Sequence, residues 1–153
     1  MNLIWEGKHF GALSAAELHA ILALRQAVFV VAQHCAYQDA DRLDPVAWHL
    51  AARLPDGTLT AYARVLPPAL SHPGPAIGRL LTAPQVRRQG LGAETLRRAI
   101  TYCERAFPRQ TIHVAAQTYL QTFYEKFGFV ACGIPYDEDG IAHIHMVRHA
   151  PMR

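Results

Sequence analysis

Cysteine is scarce in this chain of 153 residues: only Cys35, Cys103 and Cys132 are present. Their number is odd and their positions are far apart, which argues against a fold held by disulfides. No pair of positions has the spacing of a zinc site, and we therefore predict no bound metal. We interpret the three thiols as buried or half-buried side chains.

Long apolar runs and a strong excess of charge are also missing. No stretch approaches the roughly twenty uncharged apolar residues that cross a bilayer, and the start of the chain, with Glu6 and Lys8, lacks a secretory layout. The net charge is +3 with neutral histidines, which is too small to indicate nucleic-acid binding. We expect a cytoplasmic protein that binds neither a membrane nor nucleic acid.

The chain does have enough apolar residues, 51% of the total, to form one sizeable core. Its length predicts a single domain over residues 1–153. The patterns predict a mixed α/β fold: a central mixed β-sheet flanked by about three to four helices, with antiparallel strands first and a βαβ-like unit later. Ser14 and Glu17 form a capping box that begins the first helix. Helices are predicted at 15–30, 90–107 and 120–127, and strands at 3–10, 46–53, 59–66, 76–82, 111–116, 129–134 and 141–148.

The segment from Ile77 to Ile100 is the most informative. A strand-like run is followed by Arg87-Arg88-Gln89-Gly90-Leu91-Gly92-Ala93 and then by a helical pattern. Unpaired amides at a helix N-terminus bind phosphate, glycines let it approach closely, and arginines add positive charge. The Walker and dinucleotide fingerprints are both absent, which leaves R-x-x-G-x-G. By itself this motif fits a pyrophosphate site and a solvated turn equally well.

A second motif follows, in which Phe123-Tyr124 precedes Gly128-Phe129 after a predicted strand. In this order and spacing the chain resembles the GNAT superfamily of acetyl-CoA-dependent N-acetyltransferases, and within it the ElaA-type family. One departure is Ala32, where that family usually has Glu. The resemblance covers nearly the whole chain, through residues 24–25, 27–31, 33, 35, 37–39, 61–64, 136, 138–141, 143–144 and 146.

The resemblance implies acetyl-CoA as co-substrate and direct attack by an amine in a ternary complex. Pantetheine would run along Leu81 and Thr82, and the pyrophosphate would lie on residues 87–93. Gln117 would contact the pantetheine arm, or would merely cap the following helix. Tyr124 would be the general acid that protonates the CoA thiolate, since a phenol stays protonated at neutral pH. The alternative for Tyr124 is simple aromatic packing.

The acceptor side is less defined. Tyr37, Gln38, Asp39 and Asp41 are candidates for binding the substrate, because their loop and a second acidic segment at 137–139 are able to flank a cationic amine. The alternative is that both acidic loops are only solvated. The acceptor would be a small-molecule or peptide amine.

The candidates for the base that deprotonates this amine are His143, Glu138 and a chain of waters. A histidine on a strand more often has a structural role, and this is the alternative for His143.

Two alternative functions remain open. Ala32 favours a non-catalytic acyl-CoA-binding regulator that has lost its acceptor chemistry. The pattern R-x-x-x-F, from Arg25 to Phe29, is similar to that of acyl-homoserine lactone synthases, although core packing explains these residues too. The sequence leaves the oligomeric state open between a monomer and a homodimer.

Overall fold

The computed structural model describes residues 2–151, and its centre is one eight-stranded sheet. The strands are β1 (Ile4–His9), β2 (Trp48–Arg53), β3 (Leu59–Leu66), β4 (Ala76–Thr82), β5 (Ile112–Gln117), β6 (Val130–Ala131), β7 (Tyr136–Glu138) and β8 (Ile141–Arg148). The α-helices are α1 (Ala15–Arg25), α2 (Leu91–Ala106) and α3 (Gln121–Glu125).

The order of strands across the sheet is β1-β2-β3-β4-β5-β8-β6, and β7 pairs with β8. All paired strands are antiparallel except β4 and β5, which run parallel. A parallel pair needs a crossover connection, and α2 supplies it. The predicted mixed α/β fold, with antiparallel strands first and a βαβ unit later, is confirmed.

Helix α2 covers one face of the sheet because its apolar residues recur at helical spacing. Its outer side carries Arg97 and Arg98, which both pair with Glu94. The buried side of α2 consists of Leu91, Thr95, Leu96, Ala99, Ile100 and Cys103. Leu96, Ala99, Ile100 and Cys103 pack with residues of β5, β8 and α3 in the first core cluster, whereas Leu91 packs in a smaller one.

The other face is covered by α1 and by a π-helical continuation, Gln26–Ala32. The predicted capping box is present: Ser14 Oγ accepts a hydrogen bond from the Glu17 amide at 3.0 Å, and the Glu17 carboxylate accepts one from the Ser14 amide at 2.8 Å. Ile21 and Val28 pack into the second core cluster.

By length and composition alone, residues 15–32 form a helix apolar enough to cross a membrane, which the sequence reading did not anticipate. The segment contains Arg25, which is fully buried and ion-paired with the loop that follows it. Because its apolar side chains pack on the sheet, we interpret this segment as the covering helix of the core.

The C-terminal part differs from the prediction in three places. Cys132 is exposed, whereas we expected a buried or half-buried thiol; Cys35 and Cys103 are buried as expected. The strand predicted at 129–134 is limited to Val130–Ala131, because Gly133 turns the chain with a φ of 105°. The following Tyr136–Glu138 forms the unpredicted β7, which makes a hairpin with β8. The other predicted segments end within two residues of the observed bounds once the π-helical turn is counted with α1.

A buried cluster of opposite charges joins α1, β3 and β4 to the loop 33–47. We call it the arginine–aspartate cluster, and its members are Arg25, Arg64, Arg79, Asp39, Asp41 and Asp44. Its most buried contacts are made by Arg25, which donates to Asp39 Oδ2 at 2.8 Å and to Asp44 Oδ1 at 2.7 Å. Arg64 donates to Asp41 Oδ1 at 2.7 Å and to Asp44 Oδ1 at 2.9 Å.

We expect Arg25→Met to lower the free energy of unfolding by about 3–5 kcal/mol, because it leaves buried carboxylates without their partner. Urea unfolding measures this change. The matched control is Arg97→Met, whose guanidinium pairs with Glu94 on the exposed side of α2 and should cost no more than about 1 kcal/mol. Equal losses in the two variants would contradict a structural role for the arginine–aspartate cluster.

Stability should also fall in acid. Burial favours the neutral form of Asp44, but the hydrogen bonds from Arg25 and Arg64 outweigh it and hold the pKa of this carboxyl below its ordinary value. Burial would raise the pKa of Asp41, but the hydrogen bond and charge of Arg64 outweigh this effect and lower it. Groups with a depressed folded-state pKa stabilise the fold above their unfolded pKa, about 3.9, and lose that contribution as the pH falls through the folded value.

The contribution of these carboxylates to the free energy of unfolding should therefore be constant down to about pH 5 and be lost below about pH 4. Above that range a smaller decrease is expected below about pH 6.5, because burial lowers the pKa of His49, His72 and His113 in the folded state. Urea titrations across this range measure the decrease. In Asp44→Asn, which has no such carboxylate to protonate, the decrease should be smaller than in the parent.

Candidate active site

The parallel strands β4 and β5 part soon after they meet. Their register pairs are Ala76 with His113 and Ile77 with Val114, and no further pair joins them within residues 2–151. We call the opening between residues 78–82 of β4 and 115–117 of β5 the β4–β5 gap. On this side the main-chain groups of each strand have no ladder partner on the other strand within the described residues, and buried backbone groups require partners.

A bulge in β4 lies beside this gap. Tyr62 of β3 pairs with Leu81 and Arg64 with Gly78, so β4 has one more residue than β3 over this stretch. Arg79 lies at the bulge and has a φ of 54°, a left-handed conformation that residues other than glycine rarely adopt. Its guanidinium forms ion pairs with Asp39 and Asp41, and the arginine–aspartate cluster therefore holds the bulge in place.

The predicted phosphate loop leads from the end of β4 into α2. Residues 87–90 are exposed, and Gly90 begins the helix in the left-handed conformation, with φ 73°. No side chain among residues 2–151 caps this helix start, so its first amides remain available. A Cβ on Gly92 would lie 3.9 Å from Thr82 Cγ2, which places the helix start directly against the end of β4. This geometry suits an anion at the mouth of the β4–β5 gap.

Tyr124 lies in α3 and is 7% exposed. Its ring packs edge-on against Phe123 and Phe129, so the aromatic packing considered above is present. Burial, with a smaller contribution from Tyr119, raises the pKa of Tyr124 to about 12. The phenol is therefore protonated at neutral pH, which a proton donor requires.

Gln117 ends β5 and exchanges hydrogen bonds with Gln33, at 3.4 and 3.5 Å between the two amide groups. It does not cap the 3-10 turn that follows it. The pair connects the end of the π-helical turn to the edge of the β4–β5 gap, and Ala32 stands exposed beside it.

His143 and Glu138 come together in the β7–β8 hairpin. His143 Nδ1 donates to the carbonyl of Ile141 at 2.8 Å, which leaves Nε2 with its lone pair. Nε2 lies 3.6 Å from Glu138 Oε2. His143 is 8% exposed and its ring stacks on Tyr136. The imidazole Nε2 and the Glu138 carboxylate therefore face one another across the hairpin, and this geometry makes them candidates for a proton-accepting pair.

The two acidic loops meet, because the Cys35 thiol donates to the carbonyl of Asp139 at 3.1 Å. The expectation that Asp39 and Asp41 bind the acceptor directly needs correction, since both carboxylates are paired with arginines and Asp39 is 4% exposed. Tyr37 also donates to Asp39, at 2.6 Å.

In contrast, Gln38 and the second acidic segment, 137–139, are exposed. The electrostatic contribution to a cationic acceptor would therefore come from the second segment and not from the first.

Two clusters in the structure have no signal in the sequence. The arginine–aspartate cluster is one of them, although all six residues had been visible as charges. The other is a group of three histidines, the only His, Cys, Asp or Glu group within residues 2–151 close enough to hold a metal ion. Its residues come from distant segments, so no local spacing could have indicated it. The motif from Arg25 to Phe29 is accounted for by the buried ion pairs of Arg25 and by the packing of Phe29 in the second core cluster.

Comparison with known proteins agrees with this geometry. A family profile described as "Acetyltransferase (GNAT) domain" matches residues 56–150. UPF0039 protein sll0451 of Synechocystis is 42% identical over 151 residues, which cover 99% of this chain and 98% of that protein.

Two crystal structures are similar over nearly their full lengths. An acyl-CoA N-acyltransferase from Pseudomonas aeruginosa has a TM-score of 0.92 and 42% identity, with 96% of this chain and 99% of that chain covered. Escherichia coli ElaA has a TM-score of 0.88 and 35% identity, with 97% and 100% covered. The chain therefore belongs to the GNAT acyltransferase family and, within it, to the group whose members are named ElaA and UPF0039.

We expect Gly90→Asp to weaken acetyl-CoA binding strongly, because a carboxylate would stand where the pyrophosphate is expected. The control is Gly90→Asn, which has the same shape and a similar tolerance of positive φ but no charge. A Cβ at this position meets no atom within 4 Å, so both variants should fold. Calorimetric titration measures the affinities. Equal binding by the two variants would rule out charge repulsion at this loop.

Proposed function

We propose that this protein is an acetyl-CoA-dependent N-acetyltransferase that acts on a primary amine of a small molecule or peptide. The observation that carries the proposal is the β4–β5 gap, with the uncapped start of α2 at its mouth. An extended pantetheine arm fits beside Leu81 and Thr82, and the exposed residues 87–90 and the amides that follow them fit the pyrophosphate. The family implies the use of an acyl-CoA. That the acyl group is acetyl and that the acceptor is an amine are parts of our proposal.

In this mechanism the amine nitrogen attacks the thioester carbonyl carbon, and a tetrahedral oxyanion forms. A main-chain amide of β4 beside the bulge stabilises this oxyanion, a contribution typically worth about 3 kcal/mol. The carbon–sulfur bond then breaks, and the departing thiolate takes the proton of Tyr124. The products are the acetylated amine and CoA.

The incoming amine must lose its proton before or during attack. His143 Nε2 is our candidate for the base, and Glu138 at 3.6 Å stabilises the imidazolium that results. The exposed carboxylates of 137–139 attract a cationic acceptor, and Gln38 lies exposed on the facing loop. Tyr37 and the paired Asp39 and Asp41 shape this wall without supplying free charge. We propose that the reaction takes place in the cytoplasm, in a single domain.

A second candidate function is acyl-CoA binding without catalysis. It is favoured by Ala32, which is exposed at the end of the π-helical turn, at a position where the family resemblance implies Glu. Donor binding with no CoA release across a panel of polyamines, amino sugars, amino acids and peptide N-termini would support it. Turnover of any one amine would exclude it.

Once an amine is found, Tyr124→Phe should lower kcat by about 100- to 10,000-fold, the usual contribution of a positioned general acid. Acetyl-CoA affinity should stay unchanged, because the ring and its packing are kept. The assay follows release of the CoA thiol. The matched control is Tyr119→Phe, which removes a hydroxyl from a side chain that is 73% exposed and should leave kcat unchanged. An undiminished kcat in Tyr124→Phe would show that this phenol is not the acid.

A further inference from the structure

Three imidazole rings lie side by side on the sheet face opposite α2. We call His72, His113 and His145 the histidine cluster: His113 lies on β5, His145 on β8, and His72 on the loop 67–75 that precedes β4. The ring centroids of His72 lie 4.8 Å from those of His113 and His145, and the latter two are 5.1 Å apart. Neither the proposed reaction nor the family resemblance uses these residues.

Two of the nitrogens point at one another. His113 Nδ1 and His145 Nε2 are 2.9 Å apart, so a single proton lies between two lone-pair positions. One potential ligand atom from each of the three rings lies within 4.8 Å of the others. In a tetrahedral zinc site with bonds of about 2.0–2.1 Å, ligand nitrogens are about 3.3 Å apart. Side-chain rotations that shorten the widest of these separations by up to about 1.5 Å would bring all three nitrogens to one cation, which would replace the shared proton.

The loop that carries His72 is fixed against β5. The amide of His113 donates to the Pro75 carbonyl at 2.9 Å. Gly74 approaches so closely that an added Cβ would lie 2.0 Å from the Thr111 carbonyl oxygen. In addition, Ser71 Oγ lies 3.0 Å from His72 Nδ1. A hydrogen bond to one ring nitrogen orients the other, as the outer partners of metal-binding histidines do.

The protonation state is also suitable. Burial, followed by repulsion from neighbouring rings, lowers the pKa of His113 and of His72 below the ordinary value. Neutral imidazole is the form that ligates metals. His113 is 8% exposed, whereas His72 and His145 are half-buried, so an ion can reach the rings from solvent.

We propose that the histidine cluster binds one divalent cation of the late first transition series, with zinc as the representative ion. Imidazole is a preferred ligand of these metals, and three protein ligands leave a fourth position for water. We expected no metal because no ligand spacing is present in the sequence. Such spacing does not reveal ligands from separate segments that only the fold brings together. The cation would fasten the loop 67–75 to β5 and β8 beside the closed end of the β4–β5 gap.

The test is calorimetric titration of the untagged, chelator-treated protein with Zn²⁺. We expect saturable binding of one ion per chain. His72→Asn and His145→Asn should each weaken it by more than about tenfold, since even loss of an outer partner typically costs 10- to 100-fold. The matched control is His19→Asn, on the exposed side of α1, which should bind as the parent does.

Because His72 is on a surface loop, His72→Asn should keep the parent's urea midpoint. Loss of zinc binding in this variant is then not caused by unfolding. Absorption with Co²⁺ gives a second measurement: imidazole ligands produce visible bands without the ultraviolet thiolate band that exposed Cys132 would add. Zinc binding that His72→Asn leaves unchanged, or a thiolate band that Cys132→Ser removes, would overturn the proposal. No stoichiometric binding by the parent protein would overturn it as well.

Discussion

The attraction between three arginines and three aspartates, most of them buried, joins α1 and the loop 33–47 to the middle of the sheet, and the course of this loop and of β4 depends on it. Unpaired, each charge would be costly to remove from water, so the six side chains are stable there only together. The pairing fixes where the loop runs after α1. Through Arg79 it also holds β4 in its bulged form, and the bulge lies where β4 and β5 part. The opening between β4 and β5 thus depends on ion pairs made by a residue of β4 with the loop 33–47.

Sequence patterns predicted the parts of the fold that local physics determines. The buried face of α2 follows from helical periodicity, the start of α1 from the Ser14–Glu17 capping box, and the bounds of β8 from alternation along a strand. The short β7 could not be predicted, because three exposed residues become a strand only by pairing with β8. The π-helical turn after Arg25 was hidden for a similar reason, since its composition is that of an ordinary helix.

The candidate site also has parts that the sequence predicts and parts that it does not. The candidate phosphate loop could be proposed from the sequence, because glycines and arginines at a helix start suit an anion. The acidic loop was misread, because the sequence shows a carboxylate but not its partner. Asp39 and Asp41 are paired with arginines from β3 and β4, many positions away. The histidine cluster was missed because its three members come from one loop and two strands that only the folded sheet brings side by side.

The parted strands have a consequence for the protein as a whole. A sheet with a gap between two central strands is an incomplete hydrogen-bonded layer, and an extended donor molecule would act as its missing strand. Donor binding and folding are then linked, because the donor binds only the folded form. A ligand at a hundred times its Kd adds about 2.7 kcal/mol to the stability of the form that binds it. The metabolic supply of acyl-CoA would therefore influence how long each copy of this protein survives proteolysis, as well as how fast it works.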